Sequence, residues 1–256
     1  MAWTLAPLAD PDVDACRRSP AGRNRSSRAA GLPGDTDRHA RYPGRVTDRD
    51  WYAWHLEYDE PGSSLANRLD LVRERIGILL DLARPGPLTT ISMVAGQGRD
   101  LIPVLATHTR GRDVAARLVE LDSRNADIAR AAASHAGLEN VDVVTGDAAE
   151  LDHYREYAPA DLVLMCGLFG NISDADIKRT IGYGLALTRP GGSVVWTRGR
   201  TAADRVPTIS RWFVEAGFDE VFVSRPGLRF GVGVHQSPAK TPPLPTGVRA
   251  FTFGGH

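Results

Sequence analysis

Cysteine is nearly missing from this chain. The two present, Cys16 and Cys166, cannot build a disulfide framework or a structural zinc site, so a reducing cytoplasm is the expected compartment. The seven histidines are scattered without metal-ligand spacing, and no metal centre is expected. Long apolar runs are missing too: none approaches the ~20 residues that a membrane-spanning helix needs. Net charge is zero, with 31 basic and 31 acidic side chains, which removes the simplest electrostatic case for nucleic acid or an anionic membrane as the main partner. Lysine is the scarcest charge, only Lys178 and Lys240 among the 31 basic residues, a bias typical of GC-rich genomes. What remains is 256 residues, 42% apolar and 24% charged, the composition of a globular chain long enough for one sizeable core or two small ones.

The charge balance is uneven along the chain. Residues 1–45 hold eight Arg and five Asp, which leaves 23 basic and 26 acidic side chains in residues 46–256. That leader contains Pro7, Pro11, Pro20, Pro33 and Pro43 and offers no apolar periodicity able to offset the entropy of ordering it. It is expected to be disordered, and its apolar start, broken at Pro7 and Asp10, lacks the basic flank of a secretory signal. Val46, read from a GTG codon, is the alternative start.

Organised patterning begins beyond it. Residues 46–87 combine an aromatic stretch, Trp51 to Tyr58, with an amphipathic helix marked by Leu65, Leu69, Val72, Ile76, Leu79 and Leu80 and stopped by Pro85-Gly86-Pro87. Strands and helices then alternate over residues 88–256. Strands are predicted at Leu88–Val94, Ala116–Leu121, Val141–Val144, Asp161–Cys166 and Ser193–Thr197. Helices are predicted at Leu101–Thr109, Ala126–His135, Asp174–Leu187 and Val206–Ala216. Such alternation implies a doubly wound α/β sheet with helices on both faces. Phe218–Ser224 and Leu228–His235 are separated only by Arg225-Pro226-Gly227, too short for a helical crossover, so they are expected to close the sheet as an antiparallel hairpin.

Four segments carry candidate chemistry. Val94-Ala95-Gly96-Gln97-Gly98-Arg99-Asp100 turns the first strand into a helix with two glycines, either a bare βα turn or a loop that lets backbone N–H groups approach a ligand. Leu118-Val119-Glu120-Leu121-Asp122 ends the second strand with acids able to hold ribose hydroxyls. Asp122 is the better aligned and Glu120 the alternate, while Asp122-Ser123 also reads as a helix cap. Gly146-Asp147-Ala148 follows the third strand, and Asp161 opens the fourth, which ends at Cys166-Gly167 before Phe169, Gly170 and Asn171.

In this order, with the closing hairpin, these segments resemble class I S-adenosylmethionine-dependent methyltransferases, as a bacterial member of unassigned substrate. The resemblance covers about residues 88–235 and departs at two positions: Ser92 stands where an acid is usual and Val94 at the first glycine. It implies a three-layer αβα fold on a mostly parallel seven-stranded sheet and S-adenosyl-L-methionine as cofactor. The cofactor-binding residues it implies are Ala95, Gly96, Gln97, Gly98, Asp100, Asp122, Ser123, Gly146, Asp147, Ala148, Cys166 and Gly167. The implied reaction is in-line methyl transfer to a small-molecule acceptor. Candidate catalytic residues are His55, Tyr58 and Asn171, with Trp54 beside them in an aromatic lid and His235 as a further base. Three alternatives stay open: cofactor binding without catalysis, non-methyl chemistry on the cofactor, and a nicotinamide-dependent oxidoreductase. The last lacks the third glycine, since Leu101 stands there, and a Tyr-x-x-x-Lys pair. Thr197-Arg198-Gly199-Arg200 is expected to be a solvated loop, with anion binding as the alternative.

Overall fold

The computed structural model describes residues 50–200 and 203–254; the leader over residues 1–45 and the alternative start at Val46 lie outside the described residues. Helix α1 (Trp51–Trp54) is capped by the Asp50 carboxylate and continues into a 3-10 turn, His55–Asp59. Helix α2 (Ser64–Leu82) starts at Ser63, whose hydroxyl accepts from the Ala66 N–H, and it buries Leu65, Leu69, Val72, Ile76 and Leu80. The spacing of those residues at three and four positions gives the helix one apolar face, turned to the sheet.

The sheet runs β3-β2-β1-β4-β5-β7-β6. Its members are β1 (Leu88–Met93), β2 (Val114–Glu120), β3 (Val141–Thr145), β4 (Ala160–Met165), β5 (Thr188–Gly199), β6 (Asp219–Val223) and β7 (Phe230–Gln236). Strands β1 to β5 pair in parallel, while β7 pairs antiparallel with both β5 and β6. Helices α3 (Ile102–Thr107), α4 (Ser123–His135), α5 (Asp174–Leu187) and α6 (Val206–Glu215) complete the alternation. The doubly wound sheet with its terminal hairpin is therefore the architecture the patterning implied. Two buried apolar layers lie on its two faces. One is built around Ile91, Val163, Trp196, Phe213 and Phe251, and the other around Ile76, Leu105, Leu118, Leu164 and Val232. The chain moves from β1 outward to β3 on one side and from β4 outward on the other, so the β1/β4 boundary is the point where strand order reverses. In open α/β sheets the crevice at the carboxyl ends of such strands is where ligands bind.

Three details differ from the sequence reading. Val94 leaves β1 at φ 49, which ends the strand at Met93. Pro190-Gly191-Gly192 does not precede the fifth strand but interrupts it: Ala160 pairs with Thr188 and Leu162 with Ser193, so three extra residues of β5 loop out, with Gly191 at φ 74. After β7 the chain returns across the molecule through residues 237–254. There it pairs Leu151 N–H with Val248 O and Ala250 N–H with Ala149 O, and buries Phe251. Asp161, at the opposite end of β4 from the crevice, accepts from Arg189, Arg84 and the Thr89 N–H and fastens β4 to its neighbours. No described helix is long and apolar enough to cross a membrane.

Candidate functional site

The crevice is built first from the glycine loop. Beyond Met93 the backbone turns through Val94, Gly96 (φ 55) and Gly98 (φ 66), closing with Gly98 N–H on Ala95 O at 2.9 Å. A Cβ on Gly96 would fall 2.4 Å from Nε2 of His55, so glycine alone lets that imidazole close over the loop. Gln97 fixes the loop from below: its amide donates to Asn125 Oδ1 at 3.0 Å and its carbonyl accepts from Arg99 Nε at 2.8 Å. Arg99 in turn makes two hydrogen bonds to the Asp59 carboxylate, at 2.5 and 3.1 Å, tying the aromatic segment to the glycine loop.

Glu120 joins three pieces of the crevice. Its carboxylate accepts from Gly96 N–H at 2.8 Å and from Asp122 N–H at 2.9 Å, and its own carbonyl accepts from Gly146 N–H at 2.9 Å. Burial pushes its carboxyl up, while the two amides pull it down. Asp122 has a different role in the geometry. It is the N-cap of α4, and its carboxylate takes the Arg124 N–H at 3.0 Å and the Arg124 guanidinium at 2.6 Å; those bonds hold its carboxyl below the ordinary range. The capping alternative is thus realised at Asp122, and Glu120 is the acid facing the glycine loop. Ser123 begins α4 and is exposed.

Asp147 is engaged on both oxygens, by Ala149 N–H at 2.9 Å and by Arg249 of the returning tail at 2.8 Å. Its neighbours Gly146 and Ala148 are half-buried and buried. At the end of β4, Gly167 (φ 76) donates its N–H to Thr197 Oγ1 at 2.8 Å, and its carbonyl accepts from Asn171 Nδ2 at 2.7 Å. Asn171 is therefore a brace of the post-β4 loop. Arg198 and Arg200 are turned inward rather than solvated. Arg198 donates to Phe169 O at 2.9 Å and leaves its buried Nε without an acceptor, while Arg200 donates to Phe230 O and Ser224 O and pairs with Asp204.

Between β1 and β4 lies Asp100. Burial pushes its carboxyl up, and its Oδ1 is buried without a hydrogen-bond partner. The Cys166 thiol is raised as well, by burial first and then by the charge of Asp100. The aromatic segment stands over this position, its rings in edge-to-face contact: Trp54 lies 5.4 Å from both His55 and Tyr58, centroid to centroid. His55 is buried, and its Nδ1 lies 2.7 Å from the Trp51 carbonyl. A carbonyl only accepts, so Nδ1 carries the proton, and in the neutral ring Nε2 keeps its lone pair toward Gly96. Burial lowers the His55 pKa, which favours that neutral form. Tyr58 accepts from Arg68 at 2.6 Å, and burial raises its hydroxyl pKa.

The structure thus brings together Ala95, Gly96, Gln97, Gly98, Asp100, His55 and Tyr58 around one crevice, with Cys166 beside Asp100. Sequence reasoning missed Arg68, Asp59 and Arg99. The pairing of Arg99 with Asp59 across 40 positions leaves no periodic signal. The orphaned Asp100 oxygen fits a cation, and the Glu120 hub fits a hydroxylated group beside the glycine loop, so the donor set suits a sulfonium nucleoside carrying an amino-acid end.

No protein-family model matches the sequence, and no curated protein matches it. Solved structures do. A possible exported protein from Bordetella parapertussis superposes with a TM-score of 0.59 at 21% identity, covering 73% of this chain and 79% of that one. An O-methyltransferase family protein from Burkholderia thailandensis gives 0.55 at 20% identity, over 68% of this chain. The match spans only 56% of the Burkholderia protein's length. A SAM dependent methyltransferase from Aquifex aeolicus gives 0.52 at 14% identity, over 72% of this chain and 97% of that chain. Identities this low speak to the fold, and the chain has the class I methyltransferase-like fold.

Proposed function

We propose that this chain catalyses S-adenosylmethionine-dependent methyl transfer to a small-molecule acceptor. The observation that carries the reading is the Asp100 carboxylate at the β1/β4 crevice, whose buried Oδ1 has no hydrogen-bond partner, beside the glycine loop and the half-buried aromatic segment. A buried carboxylate oxygen left without a donor is costly, and a cationic ligand group offsets that cost. When bound, the cofactor supplies an electrophilic methyl carbon on a sulfonium centre.

The residues then divide the work. Asp100 receives the cationic end. Glu120, already aligned by Gly96 N–H and Asp122 N–H, holds the ribose hydroxyls, with Gly96 and Gly98 letting the backbone come close. Gly146, Asp147 and Ala148 hold the base edge. Trp54 and Tyr58 exclude water and present ring faces to a sulfonium. His55 takes a proton at Nε2, since Nδ1–H is committed to the Trp51 carbonyl. Isothermal calorimetry with S-adenosylmethionine and S-adenosylhomocysteine tests binding, and transfer of a labelled methyl group to a metabolite panel tests catalysis. Binding of NADH in place of either ligand would overturn the reading.

A further inference from the structure

Arg198 stands at the carboxyl end of β5, one strand over from the β1/β4 crevice. Its chain neighbour Thr197 takes the Gly167 N–H, and its own Nη1 donates to Phe169 O at 2.9 Å, so the guanidinium lies on the loop that follows β4. A Cβ on Gly170 would fall 3.0 Å from Nη1, which places the same group against Gly170 as well. No carboxylate meets Arg198 among the described residues. Arginines close to it in the chain each have one: Arg189 pairs with Asp161, Arg200 with Asp204 and Arg205 with Asp174. Burial pulls the Arg198 pKa down, and no neighbouring acid offsets that. A half-buried charge without a counter-charge costs stability until a partner arrives. Bracing Phe169 O uses only Nη1. Nε and Nη2 form the other edge of the fork, the edge that grips a carboxylate with two parallel N–H···O bonds. Nε is sealed from water and has no acceptor, while Nη2 is neither bonded nor sealed. Nη2 shares a carbon with Nη1, so it meets solvent beside Phe169 and Gly170, at the rim formed by the ends of β4 and β5.

We propose that Arg198 receives a carboxylate of the methyl acceptor, which makes that acceptor an acidic small molecule. This inference rests on the methyl-transfer reading above and names its substrate class. A carboxylate seated on Nη2 carries its second oxygen toward Nε and supplies the missing counter-charge. A neutral amide of the same shape turns N–H donors of its own toward the fork, so charge and geometry together discriminate against it.

Calorimetry on S-adenosylhomocysteine-saturated wild type, Arg198→Gln and Arg198→Lys tests it with matched acid and amide pairs: lactate and lactamide, para-hydroxybenzoate and para-hydroxybenzamide, indoleacetate and indoleacetamide. In wild type at least one acid is expected to bind about 10–100-fold tighter than its amide, the equivalent of one charged hydrogen-bonded pair. Arg198→Gln reduces that preference to within about twofold, and Arg198→Lys recovers part of it by restoring the charge without the fork. Should Arg198→Gln fail to fold, Gly170→Ala carries the test: its methyl group crowds Nη1 and displaces the fork, and the acid preference shrinks by a smaller factor. A role confined to bracing Phe169 weakens acid and amide alike, leaves their ratio unchanged and overturns the proposal. So does a wild type that binds no acid of the panel more tightly than its amide. Failure of wild type to bind S-adenosylhomocysteine overturns the methyl-donor reading instead, and the same pairs added to the unliganded protein then test Arg198 by itself.

Discussion

Two acids two residues apart, Glu120 and Asp122, separate cleanly once their partners are known. Glu120 faces Gly96 N–H, whereas Asp122 caps α4 and is held by Arg124. Glu120→Gln keeps the shape but removes the charge that strengthens hydrogen bonds to hydroxyl donors. It is expected to weaken S-adenosylhomocysteine binding by about 1.5–3 kcal/mol in calorimetry. Asp122→Ala is expected to leave that affinity nearly unchanged and to lower the stability by about 0.5–2 kcal/mol through loss of the cap, read from denaturant midpoints. A reversed pattern would return the ribose assignment to Asp122. The sequence carried both acids as candidates, since position alone puts both at the end of a strand. Which one turns to the loop depends on where β2 stops, and that is set by its pairing with β1 and β3 rather than by any local signal.

Between strands, a polar chain links α6, β5, β6 and β7, buried at Ser210, Trp196 and His235 and reaching the surface at Glu220. Trp196 Nε1–H donates to His235 Nδ1 at 3.0 Å, which puts the imidazole proton on Nε2; Nε2 meets Ser210 Oγ at 3.2 Å, and Ser210 donates to Glu220. His235 is fully buried and stacks on Phe213 at 4.6 Å, and burial lowers its pKa to about 4. The sequence offers His235 as a further base, but both of its nitrogens are engaged inside this chain, away from the crevice residues. The sign of its pH effect follows from linkage. An unfolded histidine binds a proton below its ordinary pKa near 6.5, and the folded one resists doing so until about 4. The contribution is therefore complete above pH 6.5 and is lost as the pH falls toward 4. About 3 kcal/mol of stability should disappear across that window, measured by urea unfolding at a series of pH values. His235→Asn should flatten that part of the profile; an unchanged slope would assign the acid sensitivity to carboxylates elsewhere.

Across the whole molecule, the regular part of the fold was readable because strands and helices alternate and several of their ends are marked by Gly or Pro, as at Pro85-Gly86-Pro87, Gly137 and Gly217. The alternation from Leu88 to Glu215 and the short Arg225-Pro226-Gly227 link leave few topologies open. Residues 237–254 have no such period. The tail is held by single backbone bonds, by Arg179 and Thr180 on the Ala250 carbonyl, and by Phe251, partners that only the folded sheet assembles. The crevice was legible to the same extent: glycines and acids announce themselves, whereas Arg68 reads simply as the polar side of a helix until Tyr58 and Trp54 are seen around it.

The returning tail also makes the site and the core dependent on one another. Arg249 engages Asp147 and Glu150, while Gly254 N–H reaches the Asn171 carbonyl at 3.2 Å, so one strap touches both the post-β3 and post-β4 loops. Its anchor is Phe251, fully buried and in edge-to-face contact with Phe253 at 5.1 Å. Phe251→Ala removes a buried aromatic ring and should cost about 3–5 kcal/mol of unfolding free energy. If the strap is what holds the two loops, hydrogen exchange at Ala149, Leu151 and Asn171 should accelerate in this variant by more than exchange at β1, which is paired on both sides within the sheet. Arg249→Ala breaks the exposed ion pairs alone and should leave stability within about 1 kcal/mol of wild type. Equal acceleration at β1 and at the loops in Phe251→Ala would mean that the strap unfolds only with the whole sheet.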